Sequence, residues 1–312
     1  MSDVAEAQIV APAVECDWPV TNCYIDAWLS ILRAWGMQPL AALGMTVTQD
    51  YEGDQFTFFK FLHEDLERMF GVVAGELSIW LPLQDHIQEQ VQRGHLVLAE
   101  VDGYFLPDTR ATSYRTQHIK TTIGVDRMEC SAGWLSYFHN DGHYELSGED
   151  YAGLFDKAAA GLPPYVEFVK RRWTPLQGPA LTEAAIELMR RHLHRRPEES
   201  PVRRYRADFA GRMDWLMAHP AMFHEYAFNS FRQLGANHQL LAGHVAWLRA
   251  RGIGGVDAAH DAAAAISSAA KAMQFKAARI VSKRRFDPCT ALFDAMEQSY
   301  AAAMQCLDRV FG

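Results

Sequence analysis

Two hydrophobic periods alternate along the first half of the chain. From Asn22 to Trp35 the apolar residues Ile25, Trp28, Leu29 and Leu32 recur at helical spacing, and Gly36 ends the run, so a helix is predicted there. Glu64–Phe70 and Leu83–Arg93 read as further helices. Leu96–Val101, Ile119–Asp126 and Trp134–His139 carry strand patterns, two of them rich in β-branched or aromatic residues. Ser147, with Asp150 three residues on, is a capping-box variant, and the helix it opens is expected to reach about Ala160. The predicted unit is α+β, a leading helix followed by strands.

Gly161-Leu-Pro-Pro164 is a breaker cluster, and beyond Trp173 the pattern is almost entirely helical. Helices are predicted at about Leu181–Arg196, Val202–His219, Ala221–Arg251, Val256–Lys283 and Pro288–Phe311. Pro179, Pro197, Pro201, Pro220, the Gly252-Ile-Gly-Gly255 stretch and Pro288 punctuate them at plausible ends. No solenoid-type period is visible, so the division expected is an α+β domain over 1–164 and an all-α helical bundle over 165–312.

Composition narrows the class. Hydrophobic residues make up 49% of the 312 and charged residues 22%, which excludes a disordered chain. No apolar run approaches the roughly 20 residues of a membrane span, and the acidic start, Met1–Val14, is unlike a signal peptide. Cys16, Cys23, Cys130, Cys289 and Cys306 are an odd, scattered set without a CxxC pair. They point to a reducing compartment rather than a disulfide framework or a cysteine zinc site. A cytoplasmic protein is expected. The formal charge of -8 hides an asymmetry: 9 Lys+Arg against 24 Asp+Glu up to Pro164, then 21 against 14.

The residue that most suggests chemistry is Cys23. It falls in the first turn of the first helix, where Thr21 or Asn22 serves as cap, and free N–H groups and the helix dipole favour a thiolate and an oxyanion there. His118 precedes a strand, and the next strand ends in Asn140 and Asp141, either of which is placed to orient an imidazole. A Cys at an early helix start, a His at a later strand start and a third polar group is the order in which papain-like sites are assembled. Candidate substrate contacts are Asn22, Glu52 and Gln55 of the Glu52–Lys60 segment, and Asp108, in a loop after a strand end. The apolar Phe56, Phe58 and Phe59 are candidates for excluding water. His139 and His143 lack an evident third ligand, so no metal is expected. GxGxxG, GxxxxGK[ST] and GxSxG are all absent, which removes support for nucleotide-dependent and serine-hydrolase readings.

Thr21-Asn-Cys-Tyr24 with Asp26 and Trp28, Glu52–Lys60, Phe105-Leu-Pro-Asp-Thr109, His118-Ile-Lys-Thr-Thr122 and Tyr137-Phe-His-Asn140 resemble a bacterial family of unknown function over nearly the whole chain. In order and spacing the first half is similar to BtrH-like acyltransferases of the butirosin-biosynthesis type, and more distantly to bacteriocin-processing peptidases of papain-like fold. The resemblance implies a papain-like fold with Cys23 as nucleophile, Leu106-Pro107 as a site loop, His118 as base and Asn140 in the third position. BtrH-like sequences usually carry Asp there, which keeps Asp141 open. It also implies transfer of an aminoacyl or acyl group from a carrier-protein thioester to a small amine. No cofactor is then required beyond the phosphopantetheine arm of that carrier. A cysteine peptidase or amidase, and an inactive binding protein of the same fold, are the alternatives.

The partner expected from this reading is an acidic carrier protein. Arg190, Arg191, Arg195 and Arg196 end one predicted helix and Arg203, Arg204 and Arg206 begin the next, forming a candidate docking face. The pI of about 5.9 speaks against nucleic acid, and no membrane partner is expected.

Overall fold

Asn22 starts the first helix. Its backbone is extended, and its Oδ1 accepts the Ile25 N–H at 2.9 Å, which opens α1 (Cys23–Ala34). Around α1, Tyr24, Ile25, Ala27, Trp28, Leu29, Ile31 and Leu32 are all buried, so the helix is enclosed rather than laid on a surface. The computed structural model describes residues 17–156 and 164–312, and α1 there packs between a sheet and a helical region. Cys16, the stretch up to Ala160 and most of the Gly161–Pro164 breaker lie outside the described residues.

The sheet has six strands: β1 (Val72–Glu76), β2 (Leu96–Asp102), β3 (Lys120–Glu129), β4 (Trp134–His139), β5 (Gly142–Ser147) and β6 (Val166–Arg171). Their order is β1-β6-β2-β3-β4-β5 and every pairing is antiparallel. Alternation along β2 decides which face meets what. Leu96 and Leu98 join the core that holds α1, whereas Val97, Ala99 and Val101 join a second, smaller core. That second core is closed by Ile87 of α3 (Leu83–Gln92) and Tyr151 of α4 (Gly148–Leu154). Gly124 of β3 lets α1 come close, since a Cβ there would stand 2.7 Å from Ile31 Cδ1.

Three strands were not legible. β1 is five residues with a glycine, β5 follows the Asn140-Asp141 turn directly and carries mostly polar residues, and β6 follows the breaker. β6 also corrects the domain boundary: it lies between β1 and β2, so a division after residue 164 would cut the sheet. Ser147 ends β5 and makes no side-chain cap; α4 stops at Leu154.

The helices of the second region are α5 (Gly178–Leu193), α6 (Pro201–Ala218), α7 (Phe223–Ala227), α8 (Gln233–Ala250), α9 (Asp257–Lys283) and α10 (Thr290–Phe311). The single helix expected over Ala221–Arg251 is interrupted by a π-helical turn, Phe228–Arg232. A 3-10 stretch, Pro39–Thr48, almost wholly buried, links α1 to α5 and α8. One hydrophobic core runs from α1 through α10. Among the described residues no helix is long and apolar enough to cross a membrane.

The arginines expected to form a docking face are mostly used inside the molecule. Arg191 and His192 meet buried Asp65 of α2 (His63–Phe70), with His192 Nε2 at 2.7 Å. Arg204 binds both carboxylate oxygens of Asp50 at 2.8 and 2.9 Å, and Arg206 meets Asp294 at 2.7 Å and Glu297 at 3.0 Å. Arg196 pairs with Asp308, and Arg203 with Glu297 at 3.6 Å. The reason is topological: α10 and the 49–65 region bring carboxylates to that side. Such pairs each contribute at most about 1 kcal/mol where exposed, yet they neutralise the patch.

Gly71 ends α2 at φ 63°, and a Cβ on it would lie 2.3 Å from the carbonyl oxygen of Trp173. Gly71→Ala combines a left-handed non-glycine residue with a backbone clash. It is expected to lower unfolding free energy by about 2–4 kcal/mol, read as a shift in the urea midpoint at unchanged m-value.

Candidate functional site

Cys23 stands in the first turn of α1, half-buried, at the end where α1 meets β3. Asn22 caps the Ile25 N–H and anchors the entry by donating Nδ2–H to the carbonyl of Phe59 at 3.0 Å. Among the described residues the N–H groups of Cys23 and Tyr24 have no acceptor, as the first turn of a helix leaves them. The Cys23 Sγ partner is the Thr122 hydroxyl at 3.7 Å.

His118 stands elsewhere. Its Nδ1 bonds Asp102 Oδ2 at 2.5 Å, its ring stacks on Tyr104 with centroids 4.4 Å apart, and most of it faces solvent. The β2–β3 register explains this. Asp102 pairs with Lys120 and Glu100 with Thr122, so polar pairs succeed one another along the sheet towards its end. Cys23 with Thr122 comes first, then Lys120 Nζ on Glu100 Oε1 at 2.6 Å, then His118 on Asp102. His118 lies two residues before β3 begins, and its ring bonds Asp102 while the Cys23 thiol meets Thr122. The expected bond between thiol and imidazole is not made, and Asp102, rather than Asn140 or Asp141, orients the imidazole.

Asn140 occupies the turn between β4 and β5 at φ 50°; its carbonyl accepts from Ser30 of α1 at 2.7 Å and its side chain reaches His139 Nδ1 at 3.4 Å. Asp141 is exposed, and its charge adds to the burial that opposes ionisation of Asp26. Glu52 and Gln55 close an exposed turn through a 2.8 Å backbone bond, well served as structure. Phe56 and Phe59 are buried and Phe58 is exposed. Asp108, expected at a substrate, is buried: its Oδ2 meets His139 Nδ1 at 2.5 Å and its Oδ1 accepts from Tyr137 at 2.5 Å. His139 Nε2 in turn meets the Thr121 hydroxyl at 2.7 Å. Thr121, Tyr137 and His139 alternate onto the sheet face opposite α1, so this hydroxyl–imidazole–carboxylate chain fastens the 103–118 loop to the sheet.

Of two charged groups beside the start of α1, Asp26 entered the sequence reading only as a motif residue and Arg232 had no signal at all. Arg232, the last residue of the π-helical turn, is largely buried and donates from Nε and Nη2 to the carbonyls of Thr21 and Val20, at 3.0 and 2.5 Å. Burial lowers its pKa, while Asp26 and Cys23 raise it. Asp26 accepts the Thr21 N–H and hydroxyl at 2.8 and 2.6 Å; burial pushes its carboxyl up to about 6 against those bonds and Arg232. π-turns gather at functional sites. Beside them, Tyr24 and Tyr165 donate to buried Glu167 at 2.9 and 2.6 Å. Burial raises the Glu167 carboxyl, but the bonds from His63, Tyr165 and Tyr24 outweigh it and hold it below the usual range. Among the described residues no three His, Cys, Asp or Glu side chains gather as metal ligands; His143 instead meets Asp126 at 3.0 Å.

The DUF1839 N-terminal domain matches residues 9–171 and the DUF1839 C-terminal domain matches 178–309. The chain belongs to the DUF1839 family. The boundary between the two matched regions falls just after β6, as the sheet requires. No curated protein matches the sequence.

Two measurements read the Cys23 environment. Iodoacetamide should label Cys23 before Cys130 and Cys289, whose thiols burial pushes up, that of Cys289 to about 11. Arg232→Met should slow labelling, because a buried positive charge beside the start of α1 is removed, whereas Asp26→Asn should quicken it by freeing the guanidinium. Asp26 also gives a pH signature. Its folded pKa is raised from the usual 3.8, so its contribution to stability is full below about pH 4 and lost as pH rises through about 6. Between about pH 5 and 7.5 wild type should lose about 1 kcal/mol relative to Asp26→Asn, measured by urea unfolding of both.

Proposed function

We propose that the chain is a cysteine-dependent acyltransferase of papain-like layout that takes an aminoacyl or acyl group from a carrier-protein thioester and passes it to a small amine. The observation that carries this reading is the half-buried Cys23 thiol at the start of an enclosed helix, with two N–H groups in the same turn that no described residue accepts and the Arg232 guanidinium bonded to the backbone just before it. The thiolate attacks the thioester carbonyl, the N–H groups receive the oxyanion, and the donor sulfur leaves as a thiolate. The amine then attacks the acyl-enzyme, the C–S bond breaks to release the Cys23 thiolate, and the amine's surplus proton passes to solvent.

The separation of Cys23 from His118 favours a thioester donor over an amide. One thiolate displacing another leaves no poor leaving group to protonate. An amide's amine needs an acid within about 3 Å, which speaks against the peptidase or amidase reading. The same separation favours a second reading, a binding protein of this fold that does no chemistry.

Intact-mass measurement after incubation with an aminoacyl phosphopantetheine thioester distinguishes them. The acyltransferase reading expects a mass increase equal to the acyl group, located on Cys23, released by an added amine. Cys23→Ala should abolish the adduct and lower turnover by about a thousandfold or more. Thioester binding with no adduct on Cys23 would overturn the enzyme in favour of the binding protein.

A further inference from the structure

The C-terminal end of α9 and residues 285–288 line an open depression of about 330 Å³, whose side chains apart from Ile280 are exposed. Its walls carry Lys276, Arg279, Lys283 and Arg285, with Asp287 and the aromatic ring of Phe286. The charge balance differs from that around α5 and the start of α6. Arg191, Arg196, Arg203, Arg204 and Arg206 each have a carboxylate. In the cavity four cations face Asp287 alone, which pairs with Lys276 at 3.6 Å. Asp287 is itself committed, accepting the Cys289 N–H at 2.8 Å; that bond first, and Lys276 after it, keeps its carboxyl below the usual range.

Lys276, Arg279 and Lys283 lie at i, i+3 and i+7, on one helix face, where like charges repel. The helix dipole favours cations only in the last turn, so it accounts for Lys283 and not for Lys276 or Arg279. The wall opposite is fixed. Arg284 and Cys289 both hold left-handed backbone, φ 49° and 50°, and Arg285 N–H bonds the Ile280 carbonyl at 3.2 Å, folding the segment back over the helix. This folding holds Arg285 opposite Arg279 and Lys283. Phe286 meets Phe209 with centroids 6.4 Å apart, yet remains 41% exposed beside the cations.

Guanidinium forks and ammonium groups around a concavity match the geometry of phosphate oxygens, and an exposed ring beside them suits a flat or apolar group. We propose that this cavity binds a phosphate-bearing small molecule, with Arg279, Lys283 and Arg285 on the phosphate oxygens and Phe286 against a flat organic portion. The site is separate from Cys23 and does not depend on the acyltransferase reading. Its concave shape fits a small ligand better than a bilayer.

The test is titration calorimetry on the full chain with pyrophosphate and with ADP at fixed ionic strength. Both should bind, ADP more tightly. Arg279→Gln with Arg285→Gln should weaken both at least tenfold, and Phe286→Ala should weaken ADP while leaving pyrophosphate unchanged. Arg195→Gln, an arginine outside the cavity, controls for net charge, and unchanged thermal melting of each variant establishes that it folds. The proposal is overturned if neither probe binds, if Arg195→Gln weakens binding as much as the cavity variants, or if Phe286→Ala weakens pyrophosphate and ADP equally. Binding to phosphatidylserine vesicles without binding to either soluble probe would overturn it in favour of a membrane surface.

Discussion

The enclosure of α1 is the constraint on which the rest depends. A helix buried on nearly every side needs covering on two faces, and this chain supplies them from its two halves: the sheet on one side, the Pro39–Thr48 stretch with α5 and α8 behind it on the other. Burying a Leu, Ile or Trp side chain contributes about 1.5–3 kcal/mol, so neither half could expose this helix and remain folded. The two matched family regions are thus halves of one core, despite a sequence that changes character between them. The cross-links at the seam follow: Asp65 to His192, Asp50 to Arg204, and Arg232 to the backbone before α1.

The same constraint sets the chemistry available to Cys23. An enclosed helix still has one open place, its first turn, where the N–H groups lack partners and the chain enters from the surface. The sheet approaches there through Thr122, and the helical region through Arg232. A buried guanidinium is costly without a counter-charge, and the groups near it are Asp26, whose ionisation burial opposes, and the thiol. The first turn of α1 is therefore the place where the sheet, the helical region and two N–H groups that no described residue accepts meet around one thiol.

Sequence periodicity located α1, β4 and the long helices because each buries a stripe that a single period describes. It located Cys23 for the same reason, since helix starts carry local signals such as Asn22. It could not place His118 relative to Cys23, because that depends on the register of β3 against β2 and on how α1 lies across the sheet, neither of which a local pattern carries. The pairing of Asp102 with His118 follows from the same register. Arg232 had no local mark at all: its importance comes from where a π-turn in the second half directs it. β1 and β5 escaped because short edge strands carry too few apolar residues to show a period, and β6, though internal, because Glu167, Lys170 and Arg171 break up its apolar residues.

Charge shows the same division between local and global information. The first half is acidic and the second basic, which on sequence grounds points outward, to partners. In the folded chain much of that asymmetry is satisfied inward, because the halves share a core and their opposite charges meet at its rim. Arg204 on Asp50 and Arg191 on Asp65 join the acidic half to the basic one directly. Net charge by segment therefore predicts partners only after such internal pairs are subtracted. At the end of α9 the subtraction leaves Arg279, Lys283 and Arg285, paired with no carboxylate among the described residues, around a concave surface whose one carboxylate, Asp287, is taken by Lys276. Unpaired cations gathered on one concave surface are a stronger sign of an external ligand than a larger but neutralised excess.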